Sequence, residues 1–336
     1  MADLPPSSDR SDDVPPTGDD PFAHRSVMLD EIVELLAPVP SGLYIDATLG
    51  GAGHASAVLD ARPDLTLLGL DQDDTAIAAA SAALARFGSR ATSIRRARFD
   101  QMTEVLRGAT ELHTQPVVAV LFDLGVSSPQ LDRGERGFSY RTEGPLDMRM
   151  DTRRELTADI VVNTYDDGEL FRMLARNGED RHARRIARAI VAARPLTTTT
   201  ELADVVRDAI PAPARRRGGH PATRSFQAIR IEVNSELQIL PGAVDQAIDL
   251  LVTGGRCLAL TFHSGEDRIV KQRFLHAESG GCTCPQGLPC VCGAIRAVKL
   301  LKRGGWTPSA GEQEHNRRSA SARLRGVEKL AIGGAP

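Results

Sequence analysis

The stretch D-A-T-L-G-G-A-G-H, Asp46 to His54, follows an apolar run, and the next apolar run along the chain ends at Asp71. A strand that ends in a glycine-rich turn lets a ligand approach the backbone closely, because glycine lacks a Cβ atom. A carboxylate at the end of a neighbouring strand can accept hydrogen bonds from ribose hydroxyls. Together the two features predict a site for a cofactor that contains a nucleoside.

Short apolar runs recur on both sides of this turn. Near-continuous apolar runs of this length are typical of parallel strands that are buried on both faces of a sheet. After Asp71, residues 74–87 are rich in alanine, with an acidic start and Gly88 just past their end, which predicts a helix. The predicted strands are 43–46, 65–71, 91–95, 117–123 and 256–263.

The pattern changes between Val126 and Gly254, where helical periodicity replaces the strand-like runs. The helices predicted there are 157–162, 167–175, 181–193, 199–209 and 223–237. The predicted fold is therefore α/β, a doubly wound sheet that an inserted helical domain interrupts. The expected domains are residues 21–138 with 240–330, the insertion 139–239, and a disordered acidic tail over residues 1–20 that carries six Asp and one Arg.

Composition predicts a soluble chain. Of the 336 residues 41% are hydrophobic, and no apolar stretch approaches the roughly 18 residues that indicate a membrane-spanning helix. The N-terminus lacks the basic and apolar regions of a secretory signal. Four of the five cysteines lie within 11 residues. We therefore expect a protein that is located in the cytoplasm, where cysteines stay reduced, and that does not enter a membrane.

Arginine is concentrated in the middle of the chain. From Arg172 to Arg230 there are 13 Arg, no Lys and five acidic residues. Guanidinium groups at this density favour bidentate contacts with phosphates. The alternative is a solvated helical surface in a sequence that uses Arg in place of Lys.

The spacing of the glycines bears on which nucleoside cofactor binds. A dinucleotide fingerprint would need glycine at position 56, where the chain has Ser56. S-adenosylmethionine has no pyrophosphate, so it needs close backbone approach and an acid for its ribose, which Gly51, Gly53 and Asp71 supply. The alternative is an ordinary tight turn beside a solvent-facing acid.

A second motif, L-F-D-L-G-V-S-S-P-Q from Leu121 to Gln130, places Asp123 at the end of a predicted central strand. The exocyclic amine of a nucleobase is a weak nucleophile, so an enzyme that methylates it must accept its hydrogen bonds and align it. The loop 127–130 is rich in acceptors and is similar to the S-P-P-aromatic loop of amino-group methyltransferases. It lacks the aromatic residue, which leaves Phe138 and Tyr140 to stack on the base. A simple Ser-Pro turn is the alternative.

These and further motifs resemble the bacterial small-subunit ribosomal RNA cytosine-N4 methyltransferases, the RsmH or MraW family. The resemblance covers nearly all of the chain after the tail and rests on the segments 24–29, 46–54, 123–132, 136–140, 144–151, 178–181, 220–230, 234–237, 262–268 and 317–325. It implies a Rossmann-like methyltransferase domain with a helical insertion. The implied activity is transfer of a methyl group from S-adenosylmethionine to N4 of one cytosine in the decoding region of 16S rRNA, within the small ribosomal subunit.

The resemblance also implies roles for single residues. The cofactor-binding residues would be Ala52, Gly53, His54, Asp71, Phe99, Asp123 and Gln130. The catalytic residues would be Asp123, Ser128 and Pro129. The arginine-rich insertion and residues 317–325 would contact RNA phosphates. A dedicated base is not required, because the methylated amine is acidic enough for water to take its proton.

Several alternatives stay open at this level. Cys282, Cys284, Cys290 and Cys292 form a C-x-C-x5-C-x-C pattern that fits a structural zinc site, although C-x-C is tighter than the usual spacing. No metal is expected to take part in the chemistry, and a homodimer is open. Two other functions are a methyltransferase for a protein or small molecule, and an RNA-binding assembly factor that senses the cofactor without turnover.

Overall fold

The computed structural model describes residues 26–91, 93–178, 181–215, 220–285 and 291–331. The side chains of Ser128 and Arg317 are not part of this description. The predicted acidic tail and Cys290 also lie outside the described residues.

The strands carry the fold. They are β1 (Gly42–Asp46), β2 (Leu65–Asp71), β3 (Ser93–Arg96), β4 (Val117–Asp123), β5 (Leu251–Thr261), β6 (Val298–Leu300) and β7 (Arg323–Lys329). In the described chain they form one seven-stranded sheet of order β3-β2-β1-β4-β5-β7-β6. The first five strands pair in parallel, whereas β7 runs antiparallel to β5 and β6. The predicted α/β class is confirmed.

Helices cover both faces of the sheet and fill the segment between β4 and β5. They are α1 (Leu29–Leu36), α2 (Gly53–Ala61), α3 (Asp74–Leu84), α4 (Met102–Gly108), α5 (Ser128–Asp132), α6 (Ala158–Thr164), α7 (Asp167–Gly178), α8 (Ala183–Ala192), α9 (Thr199–Ala209), α10 (Ala212–Arg215), α11 (Thr223–Asn234), α12 (Glu236–Leu250), α13 (Ser264–Ser279) and α14 (Ala310–His315). None of the described helices has the length and apolarity needed to cross a membrane.

Strand β4 explains why the central strands read as unbroken apolar runs. All its residues are buried except Asp123 at its carboxyl end. Val120 and Phe122 belong to the hydrophobic cluster on one face of the sheet, and Ala119 and Leu121 belong to the cluster on the other face. Because both faces are covered, only the end of the strand is left for a polar side chain.

The helical segment between β4 and β5 has a hydrophobic cluster of its own. This third cluster includes Phe138, Leu170, Ile186 and Phe226, and its members come from this segment rather than from the sheet. The predicted helical insertion is thus present as a region, and its domain bounds at 139 and 239 stay a prediction.

Several element bounds differ from those predicted. Ser235, with a left-handed φ of 57°, separates α11 from α12, so the single helix predicted for 223–237 is wrong at its end. Strand β5 begins at Leu251 rather than 256. Strands β6 and β7 were not predicted, because β6 has only three residues and β7 is not a continuous apolar run but carries charged residues such as Arg325 and Glu328. Helix α3 ends at Leu84 and continues as a 3₁₀ turn.

Candidate active site

The turn after β1 is fixed to the ends of its two neighbouring strands. The amide of Leu49 donates to the carbonyl of Leu70 in β2 over 2.8 Å, and the amide of Asp123 in β4 donates to Thr48 Oγ1 over 2.6 Å. Because β1 lies between β2 and β4, the carboxyl ends of the three strands meet at one edge of the sheet. The glycine-rich turn, Asp71 and Asp123 therefore lie together at this edge.

The turn needs small residues for two different reasons. Gly50 and Ala52 adopt left-handed backbone conformations, with φ of 51° and 65°, and this is a strained conformation for alanine. At Gly53, a Cβ atom would lie 2.1 Å from Ser26 Oγ, so glycine lets the start of α2 pack against that serine. Around Gly51, no atom of the described residues beyond its two chain neighbours lies within 4 Å of such a Cβ, which leaves an open face of backbone for a ligand.

Asp71 at the end of β2 already binds two backbone amides. Its Oδ2 accepts from the amide of Gly50 over 2.8 Å, and its Oδ1 accepts from the amide of Asp73 over 2.9 Å. Burial raises the pKa of Asp71 above its ordinary value. Each carboxylate oxygen has a further lone pair, so the group can still accept a hydrogen bond from a ribose hydroxyl.

His54 in the first turn of α2 lies between a backbone carbonyl and Asp123. Its Nε2 is 2.9 Å from the carbonyl oxygen of Val27, to which it donates, and its Nδ1 is 3.4 Å from Asp123 Oδ2. Burial lowers the pKa of His54, but the hydrogen bond and the charge of Asp123 outweigh burial, so the pKa is raised overall. The histidine thus orients the Asp123 carboxylate, which is 31% exposed.

Asp46, the last residue of β1, is a buried carboxyl near His54 and Asp123. It accepts from the Tyr44 hydroxyl over 2.9 Å and from the amide of Thr48 over 3.2 Å. Burial raises its pKa to about 6, against the opposing effects of His54 and these hydrogen bonds. The sequence shows Asp46 only as the first residue of the glycine-rich turn, and its burial beneath the site could not be read from the pattern.

Gln130 takes part in a polar brace across the edge of the site. Its Nε2 donates to Asp73 Oδ2 over 3.0 Å, and its Oε1 accepts from the amide of Ser127 over 3.0 Å. Arg136 donates to the same Asp73 oxygen over 2.7 Å. These hydrogen bonds hold the pKa of Asp73 below its ordinary value although burial opposes them. The sequence marked Asp73 only by its place before helix α3, so this brace was missed.

The loop 127–130 becomes the start of α5. Pro129 is exposed in the first turn of this helix, where its fixed φ suits helix initiation. Ser128 begins the helix, and its side chain lies outside the description. The structure therefore brings Asp123 and the Pro129 loop to one edge of the sheet, and the catalytic roles predicted for Ser128 and Pro129 stay predictions.

Phe99 lies in a 3₁₀ turn after β3 and is buried. Its ring meets that of Phe122 edge to face, with centroids 5.9 Å apart.

Gln72, which follows Asp71 in the chain, donates from Nε2 to Met150 Sδ over 3.2 Å. Its Oε1 is buried without a hydrogen-bond partner among the described residues. A nucleoside that offers a donor to this oxygen would remove an unfavourable buried polar group.

The two aromatic residues predicted to stack on a base have different surroundings. Phe138 is 5% exposed and belongs to the helical cluster, so its ring is not available to a base. Tyr140 is partly exposed, and its ring stacks on His220 with centroids 4.4 Å apart. Of the two, Tyr140 is the more accessible to a base, but Arg141 also lies over its ring, 5.7 Å from the centroid, and Phe226 meets it edge to face.

A second buried network lies past the end of β5 and was not found from the sequence. Arg230 Nε donates to Glu236 Oε1 over 2.9 Å. His263 Nδ1 accepts from the amide of Gly265 over 3.1 Å at the start of α13, and its Nε2 lies 3.1 Å from Glu266 Oε1. Burial raises the pKa of Glu236. Strand β5 pairs with β4, so this network borders the Asp123 end of the site.

The arginines of the helical region divide into two groups. Arg207 is bound by Asp204 over 2.6 Å and by Asp208 over 3.0 Å. On α8, by contrast, Arg184, Arg185 and Arg188 are exposed.

The C-terminal arginines predicted to bind phosphate differ in their exposure. Arg325 lies buried in β7 and donates to Asp267 over 2.6 Å, so phosphate contacts of this segment would have to come from its other arginines. Arg318 is exposed and reaches Asp132 over 2.8 Å.

The strand order and the site define the class of protein. Parallel strands in the order 3-2-1-4-5 with an antiparallel seventh strand, and a glycine-rich turn beside a strand-end carboxylate, are features of a Rossmann-like methyltransferase. The MraW methylase family matches residues 21–330. The chain belongs to this family, which confirms the resemblance predicted from its motifs.

Relatives of this chain cover nearly its whole length. It is 48% identical over 317 residues to the ribosomal RNA small subunit methyltransferase H of Symbiobacterium thermophilum, covering 93% of this chain and 98% of that one. The protein of the same name from Heliobacterium mobile is 47% identical over 315 residues, with 92% and 99% covered. That of Kocuria rhizophila is 48% identical over 314 residues, with 91% and 94% covered.

Proposed function

We propose that this protein transfers a methyl group from S-adenosylmethionine to the N4 amine of one cytosine in the decoding region of 16S rRNA. The observation that carries the proposal is the meeting of the glycine-rich turn, Asp71 and Asp123 at the ends of three adjacent strands. Membership of a methylase family supports it, as does the name shared by the relatives.

The cofactor would lie along the open backbone at Gly51. Asp71 would accept hydrogen bonds from the ribose, with Gln72 Oε1 close by in sequence as an acceptor that lacks a partner among the described residues. Ala52, Gly53 and His54 would shape the turn, Phe99 would pack near the adenine, and Gln130 would close the methionine end. These residues fit the cofactor because the backbone at Gly51 is open and hydrogen-bond acceptors lie around it.

The substrate amine would be held by acceptors at the end of β4. S-adenosylmethionine would supply a methyl group on a positively charged sulfur, and the amine nitrogen would take that group while the sulfur leaves as a neutral thioether. Asp123, with its carboxylate oriented by His54, would accept a hydrogen bond from the amine, which keeps the nitrogen aligned with the methyl carbon. Ser128 and Pro129 would form the wall against which the base rests. The amine proton would leave to water after transfer.

RNA would be bound by the arginine-rich helical region. The exposed guanidinium groups on α8 would contact phosphates more readily than that of Arg207, which is already bound to Asp204. The target cytosine would be unstacked into the site with Tyr140 as its aromatic neighbour. The protein would act in the cytoplasm, on 16S rRNA within the small ribosomal subunit. Sedimentation would show whether it forms a homodimer.

Mass spectrometry of 16S rRNA from a deletion strain tests the function directly. We expect one cytosine to lose its N4 methyl group, wild-type protein to restore it, and Asp123→Asn to fail at normal protein levels. An assembly factor without turnover, which family membership disfavours, would leave methylation unchanged in the deletion strain. That outcome would overturn the proposal.

A further inference from the structure

The loop between α13 and β6 is tied at its base to the end of α13. The amide of Ala297 donates to the carbonyl of Ala277 over 3.0 Å, and Arg296 Nε donates to the carbonyl of Glu278 over 2.9 Å. Gly280 has a φ of 64°, and a Cβ atom there would lie 2.3 Å from the carbonyl oxygen of Ile295. The two ends of the loop are therefore in close contact.

The described part of this loop has little apolar burial to hold it. Val291 is 89% exposed and Ile295 is 66% exposed. A segment that buries so little apolar surface gains little from the hydrophobic effect, and small units of this kind are commonly held by a metal or a disulfide.

Three cysteines of the loop converge in space. The Sγ atoms of Cys282, Cys284 and Cys292 all lie within 4.8 Å of one another, and none of the three forms a disulfide. Cys282 and Cys284 come from the outgoing part of the loop and Cys292 from the returning part. With zinc–sulfur bonds of about 2.3 Å and tetrahedral angles, sulfur atoms around zinc are about 3.8 Å apart. A small adjustment of the side chains would reach that separation.

We propose that Cys282, Cys284 and Cys292 supply three of the four ligands of one Zn²⁺ ion that joins the two parts of this loop. The three thiols would bind as thiolates, each releasing its proton to solvent, because thiolate is the metal-binding form. Sulfur-rich tetrahedral sites select zinc over the hard cations, which prefer oxygen ligands. Cys290 lies outside the described residues and is not part of the proposed site.

The position of the site makes the ion structural. Helix α13 begins after His263 beside the end of β5 and has 16 residues, so its far end is about 24 Å away at 1.5 Å per residue. The cysteines follow that far end. Zinc bound there would stabilise the loop and would not touch the reacting groups.

Metal analysis of full-length protein purified without chelator tests the proposal. Wild type should carry about one zinc per chain, whereas Cys282→Ser/Cys292→Ser should carry less than about a tenth, as expected when ligands of a structural site are removed. Cys257→Ala is the matched control, because Cys257 is buried in β5 and should not affect the metal content. Wild type that stays free of zinc after incubation with ZnCl₂ under reducing conditions would overturn the proposal, as would a double variant that keeps its zinc.

A labelling experiment covers the case in which the double variant does not fold. Iodoacetamide is applied to wild-type protein before and after treatment with a chelator, and peptides are read by mass spectrometry. Cys282, Cys284 and Cys292 should become labelled only after the metal is removed, while Cys257 stays protected by burial throughout. Equal labelling of the three thiols with and without the chelator would contradict the proposed site.

Discussion

The carboxyl edge of the sheet and the helical region between β4 and β5 use charge in opposite ways. At the sheet edge the charged groups are carboxylates at the ends of strands. Asp46 and Asp71 accept hydrogen bonds there, and Asp123 faces His54. In the helical region the dominant charges are arginines, and those of α8 such as Arg185 and Arg188 face solvent.

The difference indicates how the two regions recognise their ligands. A buried carboxylate that is already hydrogen-bonded has one orientation, which suits a small cofactor that must be held in one geometry. Exposed arginines on a helix are separate and adaptable, which suits the long backbone of a nucleic acid. Mutations at the sheet edge should therefore affect cofactor binding and chemistry, and mutations on α8 should affect RNA affinity alone.

The largest effect is expected for Asp123→Asn. The amide removes the negative charge that faces His54 Nδ1 and replaces one acceptor oxygen with a donor, which misaligns the proposed hydrogen bond to the amine; misplacement of a reacting group costs on the order of a hundredfold in rate. Single-turnover methyl transfer to small ribosomal subunits would measure it. Asp132→Asn, an exposed carboxylate at the end of α5, is the control and should transfer at nearly the wild-type rate. A variant at Asp123 with wild-type rate would remove this residue from the site.

Asp71→Ala should mainly weaken binding of S-adenosylmethionine. A hydrogen bond to a charged group contributes roughly 1.5–3 kcal/mol, so the dissociation constant should rise roughly tenfold to a hundredfold. Titration calorimetry measures this directly. Asp64→Ala removes a carboxylate just before the opposite end of the same strand, where it pairs with Arg62 over 2.7 Å, and should leave the affinity unchanged. Normal affinity in Asp71→Ala would contradict the ribose assignment.

Arg185→Gln/Arg188→Gln should weaken RNA binding without affecting the cofactor. Each lost phosphate contact lowers the slope of log affinity against log salt by about 0.7 to 0.9, so the double variant should lower it by roughly 1.5. Filter binding to 16S rRNA across a salt series would measure the slope. Arg207→Gln is the matched control, since Asp204 and Asp208 already bind that guanidinium. If both variants change the slope equally, α8 is not the RNA-binding surface.

The smallest effect concerns Asp46 and pH. Its pKa is raised from 3.8 to about 6 in the folded state, so its contribution to stability is complete below its unfolded value and is lost as pH rises through about 6. Between pH 7.5 and pH 5 this carboxyl should add about 1.4 kcal/mol to the free energy of unfolding. Urea unfolding of wild type and Asp46→Asn at both pH values measures it. The gain should be absent from the variant, and parallel pH profiles would show that Asp46 titrates normally.

The sheet edge could be predicted largely from local sequence, because each of its features follows directly on a strand. Asp71 and Asp123 end apolar runs whose bounds match β2 and β4, and parallel strands bring their ends together without further information. The same logic fails for β7, because charged residues and Gly326 interrupt the segment from Arg323 to Lys329, so it does not form a continuous apolar run.

What could not be predicted are contacts between residues far apart in the chain. The pairing of Asp73 with Arg136 and that of Arg325 with Asp267 each depend on the packed fold. The break at Ser235 was missed because Glu236 and Leu237, which follow it, continue a pattern suited to a helix, and the left-handed conformation of Ser235 leaves no mark in composition.

The pairing of β4 with β5 has a consequence for how the chain folds. These two strands are neighbours in the sheet although all of α5 to α12 lies between them in sequence. Closing a flexible loop of that length is slow. The entropic cost of closing it grows only slowly with length, by about 0.6 kcal/mol for each doubling. The order of events matters more than the final cost. If the helical region folds first around its own cluster, it brings the ends of the loop closer, and substitutions in that cluster should then slow completion of the sheet.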